Sequence, residues 1–304
     1  MPALAARRGL PHNAPMTELV VRRLLIDLDA PVPRHWCGGD AFRTAFFNAL
    51  SMSFPVGEQF FIDSVRAGLA ALPPQAQARW REEVQGFVGQ EATHRRIHAL
   101  FNAQIERHGL VNDWEPRARA RLELMHGLDP RHGLAITAAN EHFTALFAEW
   151  LLTHPEWLAG SEERLQLLWL WHSAEEAEHK CTAFDLYRAL GGNEDWRRKW
   201  MRRVTLIFLG DTLRQTLANL RRDGTLWQLS TWRSAAHFLF GRKGLLRQSF
   251  RPWRDWFRSD FHPTQHASDR SERWLRDHAA AWRPVRETTS APRDVRTATA
   301  AITA

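Results

Sequence analysis

Apolar residues recur at every third or fourth position from residue 40 to about residue 190, a spacing that is typical of amphipathic α-helices. Strand signals are almost absent from this stretch, so the pattern predicts an all-α fold. Pro55 interrupts the first helix, either as a kink or as a new start, and Gly191-Gly192 ends the last one. Four long helices are predicted, at residues 40–72, 75–108, 132–152 and 161–190, with a short helix at 117–125.

The pattern changes at both ends of this helical region. Residues 1–39 contain five prolines and form a predicted arm, in which residues 18–29 are either a strand or a helix. Residues 196–264 are rich in Arg, Trp and Phe and begin with a further predicted helix, and from residue 265 the polar composition predicts disorder. We therefore divide the chain into an arm (1–39), a bundle (40–195), a helical extension packed on the bundle (196–264) and a dispensable tail (265–304).

The net charge changes sign at the boundary between the bundle and the extension. Residues 1–195 carry a net charge of −6 and residues 196–304 one of +13, within a total of +7. An acidic bundle beside a basic extension predicts an electrostatic contact between the two. Two cysteines cannot form a disulfide framework, the first residues lack the apolar run of a secretory signal, and no apolar run approaches the ~20 residues of a membrane-spanning helix. These features predict a cytoplasmic protein.

A repeated motif carries the candidate chemistry. Two copies of Glu-x-x-His occur in the helical region, and each follows a lone glutamate on the preceding long helix by 33 or 35 residues. Because a helix rises about 1.5 Å per residue, a chain that ascends from the lone glutamate and descends to the motif returns to the same height. The two helical hairpins thus place in one layer Glu58 with Glu91 and His94, and Glu141 with Glu176 and His179.

These six residues lie on the apolar stripes of their own helices, where an ionised carboxylate is costly unless it is paired or binds a metal. One glutamate from each of two helices, with Glu-x-x-His from each of two others, makes up the dimetal-carboxylate site of ferritin-like four-helix bundles. The set contains oxygen and nitrogen ligands and no thiolate, which favours iron, with manganese or zinc as alternatives. The sequence therefore predicts two metal ions in the core of the bundle.

Further polar residues lie near the second motif. His172 shares a helix face with that motif, so it is either a third nitrogen ligand or a packed histidine bonded to a backbone carbonyl. His98 lies one turn beyond the first motif and is expected to support a ligand rather than to bind metal. Helical phase places Glu178 on the surface and leaves the roles of Glu175 and His142 open.

Four segments of the sequence are distinctive, FPVGEQFF, FVGQEATHRRIHALFN, ANEHFTALF and WHSAEEAEHKCTAFDLY. They resemble the motifs of a bacterial family called predicted metal-dependent hydrolases, which are ferritin-like in sequence. The run His-x3-Glu-x2-His is also similar, more locally, to dimetal p-aminobenzoate N-oxygenases. The resemblance implies that Glu91 and Glu176 bridge two metals and that Glu58 and Glu141 bind terminally. The implied ligands are Glu58, Glu91, His94, Glu141, His172, Glu176 and His179.

Three functions compete at this point. The favoured hypothesis is an oxygen-activating di-iron enzyme that oxidises or hydroxylates a small, partly apolar substrate, with Phe54, Phe61 and Phe87 excluding water. The alternative is a dimetal hydrolase that acts on an ester or a phosphate, and the third is non-catalytic iron binding. The partners expected are the substrate and dioxygen, with a homodimer left open and no nucleic acid. The basic extension is expected to form part of an apolar substrate entrance or to contact a membrane surface.

Overall fold

The structure is a computed structural model that describes residues 19–266 and 268–285. Within these residues the chain forms ten α-helices and one antiparallel pair of short strands. The strands are β1 (Arg22–Leu24) and β2 (Trp282–Pro284). The helices are α1 (Ala41–Ala71), α2 (Pro74–Glu106), α3 (Trp114–Glu123), α4 (Pro130–Thr153), α5 (Glu163–His179), α6 (Thr182–Ala189), α7 (Glu194–Asp223), α8 (Leu229–Phe240), α9 (Leu245–Asp255) and α10 (Arg270–Asp277). The prediction of a predominantly helical chain is confirmed.

Helix α1 continues through Pro55, so no new helix starts there. A proline lacks the N–H that would bond the carbonyl four residues earlier, which here belongs to Ser51. The side-chain amide of Asn102, on α2, donates to that carbonyl at 3.1 Å. The tertiary contact thus supplies the hydrogen bond that the proline cannot make.

The predicted fourth helix is divided into two. Helix α5 ends at His179 and α6 begins at Thr182, with Lys180 and Cys181 between them. The start is also shifted, because the side chain of Glu162, rather than that of Ser161, accepts a hydrogen bond from the N–H of Leu165. The amphipathic period continues through the break, so it gives no local sign that the helix ends there.

Helices α1, α2, α4 and α5 pack around the buried residues of the two Glu-x-x-His motifs. Helix α7 packs against α1 and α4, α8 against α1, and α9 against α4, so the basic extension lies on the helices that precede it. None of the described helices combines the length and the apolar content that are needed to cross a bilayer.

The polar composition after residue 265 predicts disorder, and this prediction is wrong for the described residues 268–285. Helix α10 packs against α5, with Leu275 buried and Trp274 at the edge of the core. Strand β2 then pairs with β1, so that Trp282 lies opposite Leu24. A few apolar contacts with distant segments order this polar stretch, and its composition does not reveal them. Residues 1–18 and 286–304 lie outside the described residues.

Candidate metal centre

The structure brings all seven predicted ligands into one buried region, and none is more than 4% exposed. The lone glutamates come from α1 and α4, and the motifs come from α2 and α5. Each motif places two side chains one turn apart on one helix face, because residues three apart are neighbours in a helix. The residues are Glu58 on α1, Glu91 and His94 on α2, Glu141 on α4, and His172, Glu176 and His179 on α5.

Six of the seven residues form two compact groups. One group is Glu58, His94 and His172, and the other is Glu91, Glu176 and His179, with the candidate ligand atoms of each group within 4.8 Å of one another. Each group contains nitrogen and carboxylate oxygen donors. Either group could therefore hold one metal ion.

The carboxylate of Glu176 faces both groups. Its Oε1 lies 2.8 Å from Nε2 of His172 and 3.4 Å from Nδ1 of His94. Its Oε2 lies 3.6 Å from Nε2 of His179. One carboxylate with an oxygen directed to each group has the arrangement that a bridging ligand requires.

Glu141 lies beside the second group. Its Oε2 is 3.4 Å from Nε2 of His179, and Oε1 of Glu91 is 3.2 Å from the same nitrogen. Glu58 occupies the corresponding position in the first group, with its Oε1 3.9 Å from Nε2 of His172. The two lone glutamates thus lie on the two different groups.

Many polar atoms of this region have no hydrogen-bond partner in the described part of the chain. They are both carboxylate oxygens of Glu58, Glu91 and Glu141, Oε2 of Glu176, Nδ1 of His94 and Nε2 of His179. Buried polar groups are nearly always hydrogen-bonded, and an unpaired buried carboxylate is costly. Converging, unpartnered oxygen and nitrogen donors are the chemistry of a metal site, so the residues present fit two metal ions.

The pKa values of the site residues also support a metal site. Burial raises the pKa of Glu58 and of Glu141 well above the ordinary value, and the charge of Glu91 raises that of Glu58 further. Burial also raises the pKa of Glu91. For His94, burial lowers the pKa, but the nearby carboxylates of Glu175 and Glu176 raise it to about 10. Without a metal the site therefore holds protons in the place of cations.

The outward-facing nitrogen of each histidine is held by a different partner. Nε2 of His94 lies 2.9 Å from Oε2 of Glu175, which can only accept when it is ionised. This bond directs Nδ1 of His94 toward Glu176. Oε1 of the same Glu175 accepts a hydrogen bond from Nη1 of Arg22 at 3.1 Å.

His179 is held by Gln90. The amide nitrogen of Gln90 donates to the carbonyl of Val20 at 3.0 Å and to Oε2 of Glu178 at 2.8 Å. Its carbonyl oxygen must therefore accept, and Nδ1 of His179 lies 2.9 Å away. Nε2 of His179 then faces Glu91 and the other carboxylates and is the nitrogen that a metal would bind.

His172 is held by a chain of neutral groups. The amide nitrogen of Asn102 is used by the carbonyl of Ser51, so its Oδ1 accepts the Ser51 hydroxyl proton at 2.7 Å. The Ser51 oxygen then accepts from Nδ1 of His98 at 2.9 Å, and Nε2 of His98 accepts from Nδ1 of His172 at 2.6 Å. Burial lowers the pKa of His98 well below its ordinary value, which keeps the ring neutral. Nε2 of His172 then faces Glu58 and Glu176, within hydrogen-bond distance of Oε1 of Glu176 at 2.8 Å, and is the nitrogen that a metal would bind.

Several supporting residues differ from the sequence-based expectations. Glu178 was predicted on the surface, but it is half-buried and binds Arg22 and Gln90. The spacing within α5 could not reveal this, because both partners come from other elements. Glu175 supports His94, whereas the ring of His142 packs 4.9 Å from that of Trp256, away from the two groups. No local signal identified Arg22, Gln90, Ser51 or Asn102.

The fold and the site define a helical protein with a buried centre of carboxylate and histidine ligands. The chain belongs to the family described as predicted metal-dependent hydrolases, whose model matches residues 20–267. No curated protein and no solved structure matches the chain. The family description favours hydrolysis over oxygen activation as the class of reaction. The ferritin-like fold, the similarity to N-oxygenases and the metal identity stay predictions.

Proposed function

We propose that this protein is a metal-dependent hydrolase with a two-metal site in a ferritin-like four-helix bundle formed by α1, α2, α4 and α5. The observation that carries the proposal is the pair of donor groups that meet at the carboxylate of Glu176. The family description supports hydrolysis as the reaction. An ester or a phosphate remains the proposed substrate class.

In this proposal each donor group holds one ion. Glu58, His94 and His172 bind the first, and Glu91 and His179 bind the second together with Glu141. Glu176, which has one oxygen directed toward each group, would be shared by the two ions. Glu91 is the candidate for a second bridge, as the resemblance to the family's motifs implies.

The ligand set of oxygen and nitrogen donors suits iron or manganese and also zinc. Two such ions supply a lowered pKa for a coordinated water and a positive clamp for an ester or a phosphate. The chain itself holds the donor atoms in place and excludes bulk water. Aromatic rings pack on the histidines, with Phe54 4.6 Å from the ring of His172, Phe87 4.9 Å from that of His179, and Trp171 5.0 Å from that of His94.

The test begins with metal analysis of protein purified without added metal. Metal-free protein is then loaded with iron, manganese or zinc and assayed with p-nitrophenyl acetate and p-nitrophenyl phosphate. We expect about two ions per chain and hydrolysis of one substrate that a chelator abolishes. Hydrolysis that is unaffected by metal removal, or no hydrolysis of either substrate by any loaded form, would contradict the proposal.

Oxygen activation is the second candidate, and the aromatic packing around the histidines favours it, because an oxidant must be shielded from water. Its measurement is oxygen uptake by the chemically reduced, iron-loaded protein. Uptake that a Glu91→Ala variant lacks, without metal-dependent hydrolysis, would support the oxidoreductase. Two bound ions with neither activity would support non-catalytic iron binding.

A further inference from the structure

The two ends of the described chain meet beside the metal centre. Strands β1 and β2 are antiparallel, with Arg22 opposite Pro284 and Leu24 opposite Trp282. Outside the ladder, the N–H of Leu25 donates to the carbonyl of Ala281 at 2.8 Å, and the N–H of Val285 donates to that of Val21 at 2.8 Å. The strand pair is therefore held along its whole length.

Side chains alternate across β1, so that Arg22 is buried and Arg23 is exposed. The guanidinium of Arg22 binds both oxygens of Glu178, at 2.7 and 3.0 Å, and one oxygen of Glu175 at 3.1 Å. Its opposite side is covered by the ring of Trp282, whose centre is 4.9 Å away. Arg22 is thus fixed between two carboxylates of α5 and an aromatic ring of β2.

Each of those carboxylates is connected to a candidate metal ligand by hydrogen bonds. Glu175 binds His94 directly, and Glu178 binds Gln90, which binds His179. We propose that Arg22 is a positioning residue of the metal centre and that Trp282 keeps Arg22 in place. This inference rests on metal binding by the site, as proposed above.

Two glycines of α2 allow the strand to come this close. A Cβ atom at Gly86 would lie 2.6 Å from Cβ of Leu19, and one at Gly89 would lie 2.3 Å from Cγ2 of Val21. Both distances are far below van der Waals contact. Residues 19–21 therefore lie directly on α2, where the carbonyl of Val20 accepts hydrogen bonds from Gln90 and Arg22.

The experiment compares Co²⁺ affinity, by chelator competition, and the Co²⁺ absorption spectrum among four variants and the wild type. Arg22→Gln is expected to weaken binding by about tenfold or more and to change the spectrum, as loss of a residue that orients a ligand does. Trp282→Ala should have a smaller effect in the same direction, and Arg22→Lys should recover part of the affinity. Arg23→Gln, on the exposed side of the same strand, is the matched control and should equal the wild type.

Arg22→Gln with wild-type affinity and spectrum would overturn the positioning role. If that variant does not fold by circular dichroism, then Glu178→Gln and Trp282→Ala decide the question by the same two readouts. A wild type that binds no Co²⁺ would instead refute the metal site itself, so the two failures are distinguishable.

A second, independent observation concerns an exposed apolar face of α7. Leu206, Leu209 and Leu213 are spaced by three and four residues and share one side of the helix, and Leu206 is 77% exposed. Phe250 of α9 is 58% exposed. The indole N–H of Trp253, one turn after Phe250, donates to Oγ1 of Thr205, which joins α9 to α7 beside Leu206.

The charge around this face is positive. Exposed arginines flank it on both helices, at positions 202, 203, 214, 251 and 254. The acidic residues of the same stretches are engaged, since Asp211 is buried against Arg117 and Arg121, and Asp255 lies 3.2 Å from His266. Like charges would repel a second copy placed on the same face.

We infer that this face binds an anionic lipid surface, with the leucines entering the interface and the arginines contacting lipid phosphates. Sedimentation with phosphatidylcholine vesicles, with and without phosphatidylglycerol, tests the inference. We expect binding to the anionic vesicles only, weakened about tenfold or more by Leu206→Glu with Leu213→Glu. Leu100→Glu, at an exposed leucine of α2, is the control and should bind as the wild type does.

Three results would overturn the lipid inference. The first is the absence of binding to anionic vesicles, and the second is equal binding by the double variant. The third is a dimer, measured by light scattering, that the double variant dissociates, because the face would then be an interface between copies.

Discussion

The three histidines of the candidate metal centre are held in place by two different hydrogen-bond networks. His94 and His179 are held through Glu175, Gln90 and Glu178, a network that ends on the cation of Arg22. His172 is held through neutral groups that end at Asn102. Both networks direct inward the nitrogen that would bind metal; we call the first network the ionic side and the second the neutral side.

The difference matters because substitutions in the two networks are expected to have different free-energy costs. Removing one partner of a buried ionic network leaves an uncompensated charge, which costs about 3–5 kcal/mol. Breaking a neutral hydrogen bond costs about 1 kcal/mol, with a further penalty for a group left unsatisfied. The ionic side also depends on strands from both ends of the described chain, whereas the neutral side lies within α1, α2 and α5. We therefore expect the ionic side to be the more sensitive one.

The largest effect is expected at Glu176, which both sides share. Glu176→Ala removes the carboxylate that faces both donor groups, so we expect the metal content to fall from two ions per chain to near zero. Elemental analysis after dialysis against the metal measures this. Glu163→Ala, on the exposed face of the same helix, should retain full occupancy. Full occupancy of Glu176→Ala would refute the bridging role.

The second prediction concerns pH. The carboxyls of Glu58 and Glu141 have pKa values raised by burial, so the metal-free protein keeps them protonated and metal binding must release those protons. Affinity should therefore rise with pH, by about tenfold per pH unit for each proton released. Chelator competition between pH 6 and 8 measures the slope. An affinity that is independent of pH would show that no proton is displaced.

The pH dependence of metal binding also distinguishes the ionic side from the neutral side. Burial and the charge of His94 lower the pKa of His172 to about 4, so His172 is already neutral and should release no proton when it binds metal. The pKa of His94 is raised to about 10, so this ring does lose one. His94→Ala should decrease the number of protons released on metal binding, and His172→Ala should not. Equal decreases in the two variants would remove the distinction between the ionic and the neutral side.

Glu175→Gln tests the ionic side alone. A glutamine can still accept the hydrogen bond from His94 but provides no charge for Arg22, so we expect the metal affinity to fall by about tenfold. The Co²⁺ titration used above measures it. In an Arg22→Gln background the further loss should be smaller, because the charge pair is already broken.

The smallest effect is expected on the neutral side. Ser51→Ala leaves Nδ1 of His98 without its acceptor and permits the other tautomer of His172, at a cost of about 1 kcal/mol, or about fivefold in affinity. Added to His172→Ala, the same substitution should change the metal affinity no further. An additive loss in the double variant would show that Ser51 acts on the site by another route.

The seven candidate ligands could be found in the sequence because their arrangement follows from regular helix geometry. The rise per residue and the lengths of the hairpins place Glu58 at the height of Glu91, and Glu141 at the height of Glu176, without knowledge of the packing. His172 was identifiable for the same reason, since its spacing from Glu176 puts both on one helix face. The helical class follows equally from a local periodicity. The bundle topology and the ligand roles stay predictions that the metal measurements test.

Only the tertiary structure decided which groups support those ligands. Arg22 and Trp282 are separated by 260 positions, and Asn102 reaches Ser51 where Pro55 has freed a carbonyl. The half-buried position of Glu178 and the ordering of residues 268–285 likewise depend on contacts with distant elements. Helical periodicity reports which face of an element is buried. It carries no information about which side chains of other elements will lie opposite that face. Hydrogen bonds and ion pairs between elements depend on which side chains meet there.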